Sequence, residues 1–129
     1  AMTLQAQDII KAPATALTAA TGFSAYGTTE SVKPTASRNG RMIELSGAFK
    51  PNAVVSGGAD QVVIGYLPTW ACPKQRMTFV AQGSVKNTFL LFVQPSGDIA
   101  VARYGVSSYI DIPAGAYLSI SCVYSAADL

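Results

Sequence analysis

The chain has 129 residues, and nine basic against seven acidic side chains give it a formal net charge of +2. A single domain of this length can bury a substantial core, and a 50% hydrophobic content excludes an intrinsically disordered chain. Only 12% of the residues are charged, compared with about 25% in an average soluble domain, so we expect self-association to cover part of the surface.

The residue inventory excludes most kinds of catalytic site. Histidine is absent, so neither a Ser-His-Asp nor a Cys-His pair can form, and no histidine can bind zinc. Cys72 and Cys122 are too few for a tetrahedral zinc site, and they are either one disulfide or two small buried residues. The acidic residues are spread thinly, without an evident glycosidase pair or calcium loop. We therefore expect no enzyme activity, no cofactor and no bound metal.

Two classes of partner are also unexpected. The basic residues form no run, whereas binding to a nucleic-acid backbone needs a clustered positive stripe. No window approaches the roughly 18 apolar residues of a membrane-spanning helix. The sequence therefore predicts neither nucleic-acid binding nor membrane insertion.

The predicted elements begin after an Ala/Thr-rich N-terminal stretch. Residues 1–21 contain few large apolar side chains and are interpreted as an arm or stalk connector, and residues 22–129 as one β domain. Asn39-Gly40 is a strong signal for a two-residue hairpin, because both residues tolerate positive φ. The strand predicted next, at residues 41–50, alternates apolar and polar side chains and should bury one face.

Further short strands follow between turn signals. They are predicted at residues 62–67, 76–82, 88–94, 99–104 and 117–124. The strand at 88–94 is apolar on both faces, because Leu90 and Phe92 alternate with other large apolar residues. Its second face should therefore meet another sheet or another subunit. Seven or eight such strands predict an all-β fold, a compact antiparallel β-barrel or sandwich.

One stretch resembles a known family. Leu67-Pro68-Thr69-Trp70-Ala71-Cys72-Pro73 leads into a strand and a hairpin closed by Pro95-Ser96-Gly97, and Arg103-Tyr104-Gly105 follows. This layout resembles the head domains of receptor-binding proteins in the tail tips and baseplates of phages that infect Gram-positive bacteria, the lactococcal siphophages in particular. Those heads have a Leu/Val-Pro-x-x-x-x-Pro stretch before the strand and a glycine-containing turn in the next hairpin. The resemblance covers residues 41–124.

The resemblance implies a homotrimer of heads at the end of a stalk. Such a head would belong to the virion, would bind a saccharide of the host cell wall, and would contact other tail or baseplate proteins through its N-terminal side. Without catalytic residues, it should not cleave that saccharide. In one departure, Leu90 and Phe92 stand where lactococcal heads can carry a His-x-Asp pair that touches a polyol ligand. Two alternatives remain: a tail or baseplate module that serves assembly only, and a lectin-like carbohydrate-binding module of a non-phage protein.

Five residues are predicted to form the saccharide site. They are Trp70, Arg103, Tyr104, Tyr109 and Asp111. Saccharide sites combine a flat aromatic face with planar polar groups that fix hydroxyls. An aromatic ring of the set would stack on the sugar, while Arg103 donates and Asp111 accepts hydrogen bonds.

Each of these residues also has a purely structural interpretation. Trp70 would then be a wedge that closes one end of the barrel, Arg103 a solvated charge and Tyr104 an edge aromatic. Tyr109 would be a loop tyrosine and Asp111 a turn cap.

Two other segments are alternative positions for the site. They are the loop at residues 52–60 and the turn at residues 83–87.

Overall fold

The computed structural model describes residues 11–27, 29, 32–56, 61–106 and 108–127. In chain order its strands are β1 (Lys11–Ala16), β2 (Thr18–Ala19), β3 (Phe23–Ala25), β4 (Thr35–Asn39), β5 (Met42–Ser46), β6 (Ala48–Pro51), β7 (Val62–Tyr66), β8 (Met77–Gln82), β9 (Thr88–Val93), β10 (Asp98–Gly105), β11 (Leu118–Ser119) and β12 (Cys122–Ser125). A short 3₁₀ turn, Thr69–Ala71, follows β7. The predicted all-β class is confirmed for this part of the chain.

The strands form three antiparallel sheets. Their orders are β1-β4-β5-β12, β2-β7-β10-β9-β8 and β11-β6-β3. The sheets do not close into a barrel, and the arrangement is compatible with a sandwich. The described strands outnumber the seven or eight predicted, because two predicted strands are each divided between two sheets and short strands form near the N-terminus.

Gly47 is the point at which one predicted strand divides. It separates β5 from β6 and has a φ of +89°, and a Cβ atom there would overlap the carbonyl group of Lys33. The chain can therefore turn from the four-stranded into the three-stranded sheet only at a residue without a side chain. The predicted strand at 117–124 divides alongside it, since β12 pairs with β5, β11 pairs with β6, and the N–H of Ile120 donates to the Gly47 carbonyl at 3.0 Å.

The described part of the predicted arm takes part in the sheets. β1 pairs with β4 and β2 pairs with β7. Leu17, between the two strands, and Ala20 are buried in the core. The described residues 11–20 thus contribute to two sheets and to the core, while residues 1–10 lie outside the described residues. The division at residue 21 stays a prediction.

All three sheets contribute to one core. Its large, fully buried side chains include Ile43, Leu45, Phe49, Ile64, Phe89, Leu91, Ile99, Tyr104 and Leu118. The side chains of β8 alternate, because Met77, Phe79 and Ala81 pack against the core while the residues between them are exposed. The core therefore fixes which side chains of β8, β9 and β10 face outward.

The outer face of the five-stranded sheet is also apolar. It carries Val63, Val80, Leu90, Phe92, Ala100 and Ala102. Phe92 is only 8% exposed and lies beneath Arg76, whose Cζ atom is 3.9 Å from the ring centroid. Val80 is 77% exposed. The two-sided apolar character predicted for β9 is confirmed, and the covering of this face by another subunit stays a prediction.

No helix in the described segments is long and apolar enough to cross a membrane.

Candidate functional site

The predicted site residues lie at two opposite ends of the five-stranded sheet. The loop that holds Trp70 packs beside the turn before β10, since the N–H of Leu67 donates to the Gly97 carbonyl at 2.7 Å. Arg103 lies near the other end of β10, and at about 3.3 Å per residue the ends of this strand are about 20 Å apart. We call these regions the Trp70 end and the Arg103 end. The prediction that Trp70 clusters with the other four residues is therefore wrong.

Trp70 has contacts that fit its structural interpretation as a wedge. It is half-buried and packs against the core. Its carbonyl accepts a hydrogen bond at 2.8 Å from Nη1 of Arg38, whose Nε donates to the Gly40 carbonyl at 2.7 Å. The buried guanidinium thus ties the 3₁₀ turn to the β4–β5 hairpin and closes this end of the core.

A β-bulge at the Arg103 end reverses the alternation of β10. Ala102 pairs with Leu90 and Gly105 pairs with Thr88, so three steps along β10 match two along β9. Arg103 stands in the bulge with a φ of +57°, a left-handed conformation that costs a non-glycine residue about 1–2 kcal/mol. The extra residue turns the Arg103 side chain to the solvent and Tyr104 into the core.

Tyr104 is a core residue and not a ligand-facing one. Its side chain is fully buried, and its ring lies 6.2 Å from that of Phe89, centroid to centroid, at an interplanar angle of 23°. Its hydroxyl accepts a hydrogen bond from Nδ2 of Asn87 at 3.4 Å. The ring cannot stack on a saccharide from this position, so its predicted site role is wrong, and so is its interpretation as an edge aromatic.

Three of the predicted residues do come together. Tyr109 forms an isolated bridge with Gly105, and the N–H of Ile110 donates to the Tyr104 carbonyl at 2.9 Å. Arg103 lies two residues before Gly105 and Asp111 two residues after Tyr109, so both flank this isolated bridge. Arg103 and Asp111 are exposed, and Tyr109 is 58% exposed. The Arg103 end therefore presents a guanidinium, a phenol and a carboxylate on neighbouring segments.

A cleft that sequence analysis did not assign lies beside the turn at residues 83–87. It has a volume of about 560 Å³ and is lined by Tyr26, Gln82, Gly83, Ser84, Val85, Tyr117 and Ser119. The rings of Tyr26 and Tyr117 are 5.0 Å apart, centroid to centroid, and inclined at 57°. We call it the tyrosine cleft. The turn itself was one of the two alternative positions for the site.

The three-stranded sheet brings the two tyrosines together. Tyr26 follows β3 and its N–H donates to the Ala48 carbonyl of β6 at 2.9 Å. Tyr117 precedes β11, which pairs with the other edge of β6 through Leu118 and Ser119. The two rings therefore meet across β6, although they are far apart in sequence and follow no shared motif.

Hydrogen bonds hold the turn that forms one wall of the cleft. Nε2 of Gln82 donates to the carbonyls of Gly83, Val85 and Asn87 at 3.0, 3.1 and 3.1 Å. Oγ of Ser84 accepts a hydrogen bond from the N–H of Tyr117 at 2.7 Å. The wall is therefore attached to the backbone of Tyr117, just before β11, and the cleft is formed before any ligand arrives.

The tyrosine cleft lies at the same end of the molecule as Arg103. Gly83 packs directly on the Tyr104 ring, where a Cβ atom would lie 2.7 Å from Cε2. The segment that begins at Gly105 carries Tyr109 and Asp111 and then reaches Tyr117. One buried ring thus supports both the bulge and the turn, so the exposed polar groups and the cleft share a rigid base.

The chemistry of the cysteines is that of buried thiols. Cys72 and Cys122 are free and half-buried, so the disulfide alternative is not realised. Burial raises the pKa of Cys122 to about 12 and also raises the pKa of Cys72, and both thiols are therefore protonated at neutral pH. In the segments that the structure describes, no three cysteine or acidic side chains are placed to hold a metal ion.

Comparison of the chain with protein-family models, curated proteins and solved structures finds no match.

Proposed function

We propose that this protein is the receptor-binding head of a phage that infects Gram-positive bacteria, and that it binds a cell-wall saccharide of its host without cleaving it. The observation that carries the saccharide part is the tyrosine cleft beside Arg103, Tyr109 and Asp111. Sugar rings pack their apolar faces on aromatic side chains, and their hydroxyls pair with planar polar groups. The phage part rests on the resemblance of residues 41–124, with which the all-β fold is compatible.

The positions of two carboxylates support binding without cleavage. Asp98 begins β10 at the Trp70 end, whereas Asp111 lies at the Arg103 end, about 20 Å away. Glycosidase carboxylates stand about 5–9.5 Å apart on either side of the scissile bond. These two aspartates therefore cannot act on one glycosidic bond.

A trimer would make a weak site sufficient for adhesion. An open site of this kind binds one saccharide with a Kd of about 1 mM, or about −4 kcal/mol. Linked sites can gain about 10²–10⁴ in avidity, so three heads on each stalk and many stalks on each virion would bind the cell firmly. The homotrimer, the virion location and the contact of the N-terminal side with other tail proteins belong to the same proposal.

Binding of the purified protein to intact Gram-positive cells tests this proposal. We expect Arg103→Gly and Asp111→Ala to lower cell binding at least about tenfold, because each removes a charge-assisted hydrogen bond to the saccharide. Glycine accommodates the φ of +57° at position 103, so the first variant should melt at the parent's temperature or slightly above it.

The matched control is Lys74→Ala, which removes a positive charge from the Trp70 end and should bind as the parent does. Full binding by both Arg103→Gly and Asp111→Ala would contradict the assignment of these residues. Release of reducing ends from the cell wall during the incubation would contradict the non-enzymatic function. A parent protein that binds no cells would favour the alternative of an assembly module.

A further inference from the structure

The described residues that line the tyrosine cleft include no charged side chain. Its polar groups are the amide of Gln82, the hydroxyls of Ser84 and Ser119, and the two phenols. Sites for phosphate or carboxylate commonly place arginine or lysine against the anion. Lys86 is the cation of the neighbouring turn, and it is exposed and does not line the cleft. The cleft therefore offers hydrogen bonds and apolar contact to a ligand but no ion pair.

We infer that the tyrosine cleft binds an uncharged sugar ring, and that the unit of the polymer seated in it is a neutral sugar and not a polyol phosphate. This inference rests on the proposed function as a saccharide-binding head and names its class of ligand. The volume of about 560 Å³ lies within the range of about 300–1,000 Å³ that small-ligand sites have. The two inclined tyrosine rings supply an apolar surface for one ring of the polymer.

The orientation of the Gln82 amide gives the cleft a fixed acceptor. Three carbonyl oxygens surround its nitrogen, those of Gly83, Val85 and Asn87, so the nitrogen must be the atom that faces the turn. The oxygen Oε1 is left on the other side and can accept a hydrogen bond from a sugar hydroxyl. The phenols of Tyr26 and Tyr117 can both donate and accept. Such groups suit neutral hydroxyls, which also both donate and accept.

Val85 adds an independent sign that this wall serves a ligand. Its φ is +59°, a conformation that is rare for a β-branched residue, and its side chain is 89% exposed at the rim of the cleft. Strained residues of this kind persist where the surroundings hold them, here the three hydrogen bonds of Gln82, and they cluster at functional sites. An exposed isopropyl group at the rim suits an apolar substituent on the sugar, such as the methyl group of an acetamido or deoxy sugar.

The inference is tested by titrating the purified protein, in whatever oligomeric state it has, with two wall polymers from the same cells. One polymer is the neutral polysaccharide and the other is the polyol-phosphate teichoic acid. We expect the neutral polymer to bind, with an affinity that changes less than about twofold between about 50 and about 500 mM NaCl, because no ion pair is screened. We expect no binding of teichoic acid that competes with it.

Two variants locate the binding in the cleft. Tyr117→Ala should weaken binding of the neutral polymer about tenfold, because it removes the stacking surface. Val85→Gly relieves the strain of the positive φ and should weaken binding severalfold at an unchanged or higher melting temperature. This variant therefore tests the cleft even if Tyr117→Ala folds poorly. Tyr66→Ala is the matched control, because Tyr66 is an exposed tyrosine that pairs with Asp98 at the Trp70 end.

The outcomes separate the inference from the proposed function. Salt-sensitive binding of teichoic acid by the parent would overturn the inference and leave saccharide adhesion standing. Binding of the neutral polymer that neither Tyr117→Ala nor Val85→Gly weakens would overturn the assignment of the cleft. A parent protein that binds intact cells but neither polymer would also overturn the inference, whereas one that binds no cells would overturn the proposed function itself.

Discussion

Arg103 decides which side chains at its end of the molecule face the solvent. Strict alternation from Ile99 and Val101 would bury position 103 and expose position 104. The bulge reverses this order, so a charged side chain avoids burial and an aromatic ring fills the space between Phe89 and Gly83. The cost of one strained residue, about 1–2 kcal/mol, is less than the about 3–5 kcal/mol that a buried aromatic ring contributes.

Three titratable side chains near the Trp70 end are withdrawn from solvent, Tyr124 almost fully and the two thiols in part. The hydroxyl of Tyr124 donates to the Ala71 carbonyl at 2.6 Å. Burial raises the pKa of Tyr124, and the nearby thiols of Cys122 and Cys72 raise it further, since each would become negative. Burial also raises the pKa of Cys122 from 9.0 to about 12. In the folded protein these groups are therefore neutral at a pH at which they would ionise in the unfolded chain.

This environment predicts a loss of stability at alkaline pH. Because the folded state holds the Cys122 proton more tightly, the contribution is complete below pH 9 and falls as pH rises toward 12. The free energy of unfolding should decrease by up to about 1.4 kcal/mol per pH unit in this interval from Cys122 alone. Tyr124 should add to the decrease above its ordinary value of 10.0. Urea unfolding followed by Trp70 fluorescence at several pH values measures the slope.

The Cys122→Ala variant isolates the thiol in this measurement. It should be less stable at neutral pH because it loses a buried sulfur atom, but its stability should fall less steeply above pH 9. Ser121→Ala, a change at the exposed neighbour, should keep the parent's slope. Equal slopes for the parent and Cys122→Ala would show that the thiol is not linked to folding in this way.

The bend at Gly47 is the element on which the passage between two sheets depends. Gly47→Ala should destabilise the protein by about 2–5 kcal/mol, because the methyl group combines a positive φ with overlap on the Lys33 carbonyl. Gly115→Ala is the matched control, since Gly115 also has a positive φ, +76°, but has no atom within 4 Å of an added Cβ. Gly115→Ala should lower the free energy of unfolding by only about 1–2 kcal/mol, the cost of a positive φ at a residue with a side chain.

Chemical unfolding of the two alanine variants measures this difference. Equal losses would mean that the crowding at Lys33 is relieved by a small backbone shift, and that the bend does not require glycine for reasons of space.

The elements that could be predicted from the sequence are those with local signals. Asn39-Gly40 predicts the β4–β5 hairpin, and the structure places its two-residue loop one position later, because Asn39 still pairs with Met42. The turn at residues 95–98 is confirmed by the N–H of Gly97, which donates to the Gln94 carbonyl at 2.9 Å. Turn residues and the alternation of apolar and polar side chains depend on a few neighbouring residues, so both can be recognised without knowledge of the fold.

The features that could not be predicted depend on which strands become neighbours. The bulge at Arg103 has no local signal, since arginine has no preference for positive φ. The tyrosine cleft exists only because β3 and β11 flank β6. Arg103, Tyr109 and Asp111 were predicted together because two successive segments carry them. Trp70 was wrongly placed with them because sequence distance does not say at which end of a sheet a loop lies.

At the scale of the whole molecule, two features favour self-association. They are the low charge content and the outer face of the five-stranded sheet. Leu90 and Val80 lie opposite each other on that face, and Val80 is largely exposed. Val80 and the half-buried Leu90 therefore form a small apolar surface on the sheet, which suits contact with another copy of the chain. Phe92, Ala100 and Ala102 on the same face are already buried within the chain, and Arg76 covers the Phe92 ring. The homotrimer that we propose would bury Val80 and Leu90 between copies.

Light scattering coupled to size-exclusion chromatography tests the trimer. At about 10 µM the parent should have a mass near three times 13.4 kDa, or about 40 kDa. Val80→Asp and Leu90→Asp should dissociate it, because a carboxylate would be desolvated without a partner. Val80→Asp should keep the fold of the monomer since the side chain is exposed there, whereas Phe92→Asp should unfold the chain because that ring is buried in the monomer. Val54→Asp, at an exposed valine outside the sheet, is the control and should remain trimeric. A parent that elutes at 13.4 kDa would exclude the trimer, and a trimer that survives both Val80→Asp and Leu90→Asp would place its interface elsewhere.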